Sequence, residues 1–599
     1  MLPVFLSFGS SAWAQQNSKI ELAEQYYQQG DLDKARPLYE ELASREENWP
    51  AIHNAYLEIL VSQQDYKMAE RYLTKVIRKQ DNKVRYQLDL ASVYQQAGET
   101  GKAEKLYDEV IEEGVSAPFK THMVAQMLSG RRMYEKALNV YLKARERHTD
   151  SGQNYALQLA SLYSILGEQE KMFTEYFNYV NENANRLRHV KNMLQNQLRE
   201  PADIEALETR LYERLQQEPN NENYPELLVW LHLQQKNFYA AFVQARALQK
   251  RRQSGPEQIL EIGNIALENK AYDDAVEIFE YLSTTFKDRP DYYRLRNYLI
   301  KAREEQLKIT YPIDTSAIQS LLADYKELSE QTRDLPTALE SLNSQAMLYA
   351  FYLNEKPRAI ELLNHLISNP RIPATLKAQS KLSLGDIYLL IDEPWEAALL
   401  YAQVDKDFKD DPMGYEAKLR NAKLSYFKGE FELAQGHLDV LKEATTREIA
   451  NDAMALSLLI KSNSYLDSAS GPLNDYATIE LMLYQNQHGQ ANTAMDDFLK
   501  KWPQHSLTDE VYMQQARYYL TTGNTEAAIE KLARISQEWS HDLLADDAAF
   551  MQANLLQEAG QRDEAMQAYT EFLKKHADSV FAAEARKRFR QLRGDTIAQ

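Results

Sequence analysis

Eleven histidines, 88 carboxylates and no cysteine are the groups this 599-residue chain offers to chemistry. No histidine stands in a His-Glu-x-x-His or His-x-x-x-His spacing, so no pair is set to share a metal ion from one helix face. The missing cysteine excludes disulfides, thiolate nucleophiles, thiolate-held metals and a lipid-modified N-terminal Cys. With 88 acidic residues almost any helix carries two, so carboxylate pairs single out no acid–base couple. Gly98-Glu99-Thr100-Gly101-Lys102 has the look of a phosphate loop but fails on count. Two residues separate its glycines where four are needed, and Ala103 follows the lysine where Ser or Thr is needed. There is no Gly-x-Ser-x-Gly elbow for a hydrolase. These residues predict a protein that is not an enzyme and holds neither metal nor cofactor.

Composition points to what positions the side chains instead. Gly (19) and Pro (18) are scarce, which excludes hairpin-rich all-β folds and predicts an all-α chain. Lys and Arg (69) against Asp and Glu (88) leave a net charge of −19, a poor match for nucleic acid phosphates. The dense positive cluster Arg586–Arg593 reads more simply as a last helix whose cations offset the negative end of its dipole before Gly594.

The chain repeats itself. Ala35, Ala69, Ala103 and Ala137 are each 34 residues from the next, and four residues after them stand Tyr39, Leu73, Tyr107 and Tyr141. Before them come Ala23, Leu57, Ala91 and Ala125, with turn residues such as Gly30-Asp31 and Gly98-Glu99 between. The pattern resumes at Ala241 and Ala275 and at Ala494 and Ala528, again 34 apart. Such spacing describes helix hairpins in which a small residue lets two helices approach and a large one fills the space beside it. One hairpin cannot bury its apolar face alone, so copies must stack into a solenoid.

These residues resemble the tetratricopeptide repeat, as in AEQYYQQGDLDKARPLYEEL (23–42), ASVYQQAGETGKAEKLYDEV (91–110) and GDIYLLIDEPWEAALLYAQV (385–404). The resemblance covers most of residues 16–590 and implies an α-solenoid wound as a right-handed superhelix. From Ala359 onward the spacing between copies lengthens in places to 37 or 38. That longer turn resembles the repeats of outer-membrane assembly lipoproteins and periplasmic cell-division coordinators. The stretch 381–467 is similar to long secreted tetratricopeptide proteins of the Bacteroidetes.

Three expectations follow for organisation. Residues 1–14, with the apolar run Leu2–Phe8 and the small-x-small step Ala12-Trp13-Ala14, read as a secretory signal cleaved after Ala14. The pattern weakens at 181–223, a degenerate helix pair, and 464–475 (SYLDSASGPLND) reads as a turn-rich loop. Pro312 and Thr315 mark a seam near 310, dividing the mature chain into an N-terminal solenoid, 15–310, and a C-terminal one, 311–599.

Repeat geometry places Asn54, Glu58, Gln95, Gln126, Asp386, Lys423, Tyr426 and Arg517 on the inner face of the solenoid as a partner groove. They form no Lys/Asn clamp for a C-terminal carboxylate. The resemblance implies protein or peptide partners, with no nucleic acid and no small-molecule substrate. The expected function is a non-enzymatic interaction scaffold or adaptor of the bacterial cell envelope, periplasmic, either free or docked on the outer membrane through another subunit. The alternative is a periplasmic holdase chaperone or delivery factor for outer-membrane or secreted proteins.

Overall fold

A computed structural model describes residues 9–148, 154–310, 312–442, 447–464 and 471–594, with the side chains of 9–17, 184, 447, 448 and 464 left out. The apolar run of the expected export signal lies outside the described residues, as does 465–470 of the expected loop; the rest of that stretch, Ser464 and 471–475, is helical. Thirty-two α-helices and two short 3-10 turns account for the described structure, and no strand occurs among the described residues. The all-α solenoid read from the sequence is what the chain forms.

Most repeats are helix hairpins closed in the same way. The backbone N–H of Asp31, Asp65, Glu99 and Met133 donates to the carbonyl five residues earlier, at Tyr26, Leu60, Tyr94 and Leu128. This is the six-to-one bond of a helix C-terminus that turns through one left-handed residue. Gly30 and Gly98 take that conformation at φ +76° and +79°, where a Cβ is disfavoured. Gln64 and Arg132 take it in the intervening repeats, at φ 58° and 60°. The turn is therefore fixed by the hydrogen bond, with glycine an aid rather than a condition. Ala23, Ala35, Ala69, Ala91, Ala103, Ala125 and Ala137 are all buried at hairpin contacts, and Tyr39, Leu73, Tyr107 and Tyr141 pack beside them.

The chain divides into two compact units, one ending at Gln235 and one beginning at Lys236. The seam expected near 310 is not the division. The helices Tyr292–Ile309 and Thr315–Gln331 do stop and start there, with the Asp314 side chain capping the Ser316 N–H at 2.8 Å. They remain packed across it. Arg296 pairs with Asp324 and Glu327 at 3.3 and 2.7 Å, and buried Tyr325 donates to Glu304 at 2.6 Å. Pro312 turns the chain without parting its cores.

In the first unit the opening helices of successive hairpins touch one another, as do the closing helices. The opening helices are bridged from Arg85 to Asn54 at 2.6 Å and from Asp89 to both His53 and Arg131 at 2.8 Å. The closing helices are bridged from Lys143 and Arg147 to Glu112 at 2.9 and 2.8 Å. The weak-pattern stretch forms the helices Leu187–Gln197 and Pro201–Gln217, held by buried Val190, Leu194, Leu207 and Leu211.

In the second unit hairpins follow from Glu257–Glu268 to Arg562–Lys575, and the helix Ala582–Arg593 caps the stack. One helix breaks the alternation. Arg447–Ser464 stands alone between the hairpin Pro412–Phe427/Phe431–Leu441 and the hairpin Gly471–Tyr484/His488–Lys501. It binds Phe431–Leu441 through Gln435 and Ser457 at 2.9 Å. The next opening helix bypasses it and packs on Pro412–Phe427.

Candidate interaction surfaces

The eight residues expected to line a partner groove fall into two groups, one per unit. In the first unit Asn54, Glu58, Gln95 and Gln126 are all exposed on opening helices. Asn54 accepts from Arg85, Glu58 from the Tyr27 hydroxyl at 2.6 Å, and Gln95 from the Tyr107 hydroxyl at 3.3 Å. The hydrogen bond to Glu58, with lesser help from burial and acidic neighbours, pushes the Tyr27 hydroxyl up to about 12.

Beneath this surface His53 is buried, its Nε2 on Asp89 and its Nδ1 3.3 Å from the Tyr72 hydroxyl. Burial opposes the ionisation of Asp89, but its contacts with His53 and Arg131 win and hold the carboxyl below the usual range. The hydroxyl on the other ring nitrogen, that of Tyr72, is itself buried, so the trio of His53, Asp89 and Arg131 presents no nucleophile at the surface. Its role is to tie three successive opening helices together. Among the described residues no group of three His, Asp or Glu could hold a metal ion.

In the second unit Lys423 and Arg517 are exposed, but Asp386 and Tyr426 are buried, so these two are wall rather than groove. Asp386 accepts from the Tyr401 hydroxyl at 2.7 Å and from Arg420 Nε at 3.0 Å. Burial pushes its carboxyl up while Arg420 and Tyr401 pull it down. Tyr426 donates to Glu480 at 2.7 Å, and burial likewise raises Glu480 against the charges of Arg517 and Lys423. Three expected groove residues therefore converge on Glu480, which sequence reasoning missed. Nothing local marks it, because Tyr426 lies 54 positions away.

The inner space of this unit is partly filled by its own chain. Tyr484 donates to the carbonyl of Asp386 at 3.2 Å, Gln485 to Leu389 at 3.2 Å and Asn486 to Phe351 at 3.0 Å. Those last two carbonyls stand at the C-terminal ends of helices Ala374–Leu390 and Leu335–Phe351, where the helical ladder runs out, and Leu389 also accepts from the Asp392 N–H at 3.3 Å. One turn thus caps two helices from earlier repeats. Beside it lies a cavity of about 370 Å³ lined by Asp386, Arg420, Lys423, Glu480 and Tyr484. A larger one of about 1470 Å³ reaches from Lys301 and Lys308 to Gln485.

Residues 547–579 match the tetratricopeptide repeat family model. The chain thus carries a tetratricopeptide repeat. The matched segment covers nearly all of the hairpin Ala545–Glu558/Arg562–Lys575, and most other hairpins share its turn bond. No curated protein matches the chain. Solved structures similar to it include Naa15/Naa10 bound to HypK-THB, at 13% identity over 97% of both chains and a TM-score of 0.28. The Cut9-Hcn1 hetero-tetramer of APC/C follows at 14% identity, covering 91% of this chain and 98% of that one, with a TM-score of 0.26. A tetratricopeptide repeat protein from Parabacteroides merdae is 15% identical over 49% of this chain and 96% of its own, with a TM-score of 0.25. At these scores the backbones do not superpose as wholes, and none of the three guides a reading of partners.

Proposed function

We propose that this tetratricopeptide-repeat protein is a non-enzymatic scaffold or adaptor of the bacterial cell envelope, holding protein partners on its repeat surfaces. The observation that carries the reading is the opening-helix face of the first unit: long, preformed and exposed, with Glu58, Arg85 and Asp89 each already bonded to neighbouring side chains. Such a face suits an extended or helical partner better than a small substrate. The export signal expected in residues 1–14 supports the envelope. The test is a cross-linked pull-down of C-terminally tagged protein from the native envelope fraction, with a parallel blot of cell fractions. A short stoichiometric set of partners is expected; recovery from the cytosol with no partner would refute the proposal.

A holdase role is the second reading. Its support is the set of exposed apolar side chains on three helices of the second unit, Trp395 and Leu399 on Pro394–Asp407, Leu433 and Val440 on Phe431–Leu441, and Met454 and Leu458 on Arg447–Ser464. A holdase would suppress aggregation of many unfolded exported proteins, whereas a scaffold would bind a few folded ones.

A further inference from the structure

The smaller cavity of the second unit draws its walls from helices far apart in sequence. Ala374–Leu390 brings Asp386 to it, Pro412–Phe427 brings Arg420, Lys423 and Phe427, and Gly471–Tyr484 brings Glu480 and Tyr484. At about 370 Å³ it falls within the range of about 300–1,000 Å³ common to small-molecule sites. Part of the wall is aromatic, with the Phe427 and Tyr484 rings 6.1 Å apart between centroids and tilted by 43°.

The four charged side chains of the lining each stand beside an opposite charge. Arg420 donates through Nε to Asp386 at 3.0 Å and through Nη1 to Glu416. Lys423 pairs with Asp452 at 3.7 Å, and the charges of Arg517 and Lys423 act on Glu480. Two carboxylates against two cations leave the lining without net charge. An anionic ligand would meet Asp386 and Glu480, and a cationic one Arg420 and Lys423, so neither recovers the hydration it gives up. An apolar ligand would strip water from all four groups and return no hydrogen bond.

What fits is a neutral ligand rich in hydroxyls. A hydroxyl donates and accepts at once, so neighbouring hydroxyls can donate to a carboxylate and accept from the cation beside it. Such charge-assisted bonds are the strong ones. The lining has capacity to spare. Tyr426 donates to Glu480 Oε2 at 2.7 Å, and no donor among the described residues bonds Glu480 Oε1. Lys423 makes its ion pair at a long distance, which leaves its ammonium free to donate. A sugar ring also presents a face of C–H groups, which the Phe427 and Tyr484 rings can cover. Asp386 and Arg420 line the larger cavity as well, where Ser344, Gln379 and Ser383 add uncharged hydrogen-bonding groups. A ligand longer than one ring therefore has somewhere to continue.

We propose that the two cavities meeting at Asp386 and Arg420 bind a short neutral oligosaccharide, one sugar ring being held by Glu480, Lys423 and the Phe427 and Tyr484 rings. The site goes beyond the scaffold reading and is independent of it: it lies in the other unit and uses recessed groups instead of the exposed opening-helix face. It also adds a ligand class that the repeat resemblance does not imply.

The test is isothermal titration of the whole chain with neutral disaccharides to hexasaccharides of glucose, mannose, xylose and N-acetylglucosamine. Oligouronates and free amino acids serve as the anionic and zwitterionic counterparts. At least one neutral oligomer should bind, and more tightly than any charged compound. Its affinity should change less than about twofold between about 0.05 and 0.5 M salt, because no ion pair with the ligand is there to be screened. Glu480→Gln still accepts from Tyr426 but loses the charge, and should weaken binding at least about tenfold. Lys423→Met, at an exposed position that folding does not need, should weaken it as well. Trp395→Ala, on the exposed ring outside the cavity, should leave it within about twofold. Circular dichroism checks each fold, and if Glu480→Gln fails to fold, Lys423→Met decides. No binding by any neutral oligomer, tighter binding of a charged compound, a steep salt dependence, undiminished binding by the cavity variants, or loss with Trp395→Ala would each overturn the proposal. The envelope pull-down tests the scaffold reading separately, so either can fail without the other.

Discussion

Replacing Glu510 with Gln should make the second unit less sensitive to alkaline pH. Glu510 sits in the first turn of helix Thr508–Thr521 beside buried Asp509, and neither Glu510 Oε2 nor Asp509 Oδ1 has a hydrogen-bond partner. Burial, then the hydrogen bond with Asp509, then the charge of Asp509 push the Glu510 carboxyl up to about 9 from an ordinary 4.5. The folded state thus holds a proton that the unfolded chain gives up near pH 4.5. Its contribution is fully present below that pH and is lost as pH rises towards about 9. Within this window one group costs at most about 1.4 kcal/mol per pH unit. Gln at this position is neutral at every pH and removes that slope. The assay is urea unfolding at pH 5, 7 and 9 followed by tryptophan fluorescence, with Trp539 lying 5.8 Å from Tyr512 on the same helix. The wild-type midpoint should fall between pH 5 and 9, and that of Glu510→Gln should fall by clearly less. Parallel pH profiles for the two proteins would refute the reasoning, and so would a wild type more stable at pH 9 than at pH 5.

Three further outcomes are expected. A Cβ on Gly385 would lie 2.5 Å from Tyr401 Cε1, while one on Gly436 meets nothing within 4 Å; urea unfolding should therefore show Gly385→Ala destabilising by about 1–2 kcal/mol net and Gly436→Ala stabilising by about 0.5–1 kcal/mol. Arg145 grips buried Glu175 with two bonds of 2.9 and 2.6 Å, so Arg145→Met should cost about 3–5 kcal/mol and Arg145→Met/Glu175→Leu should recover much of it, read as thermal unfolding of the first unit. Burial pushes His232 down to about 4 from 6.5, so its stabilising share holds above pH 6.5 and is lost as pH falls through about 4; acid titration by circular dichroism should find His232→Phe unfolding at lower pH than the wild type.

Much of the repeat architecture was legible because each hairpin is specified within about 34 residues. Ala35 against Ala23, or Ala103 against Ala91, is a contact between near neighbours in sequence, and the same turn bond follows most opening helices. The groove was legible only in part. Asn54, Glu58, Gln95 and Gln126 stand on an exposed face because the early repeats keep the 34-residue register. Asp386 and Tyr426 do not, because Tyr401, Arg420 and Glu480 cover them from neighbouring helices. The seam was misplaced for a related reason: Pro312 is a strong local stop, but ion pairs of Arg296 and the Tyr325–Glu304 bond hold the helices on either side together.

The sequence by itself determined the helix hairpin, its turn, its small-residue contact and the stacking of copies, since these depend on nearest-neighbour packing that recurs with the period. Only the tertiary structure decided that a lone helix at Arg447–Ser464 interrupts the alternation and that Gly471–Tyr484 stacks past it. It also decided that Tyr484, Gln485 and Asn486 cap carbonyls 96 to 135 residues away. Such contacts depend on the path of the stack, which accumulates from a small rotation at every repeat, and no single stretch of sequence contains that sum.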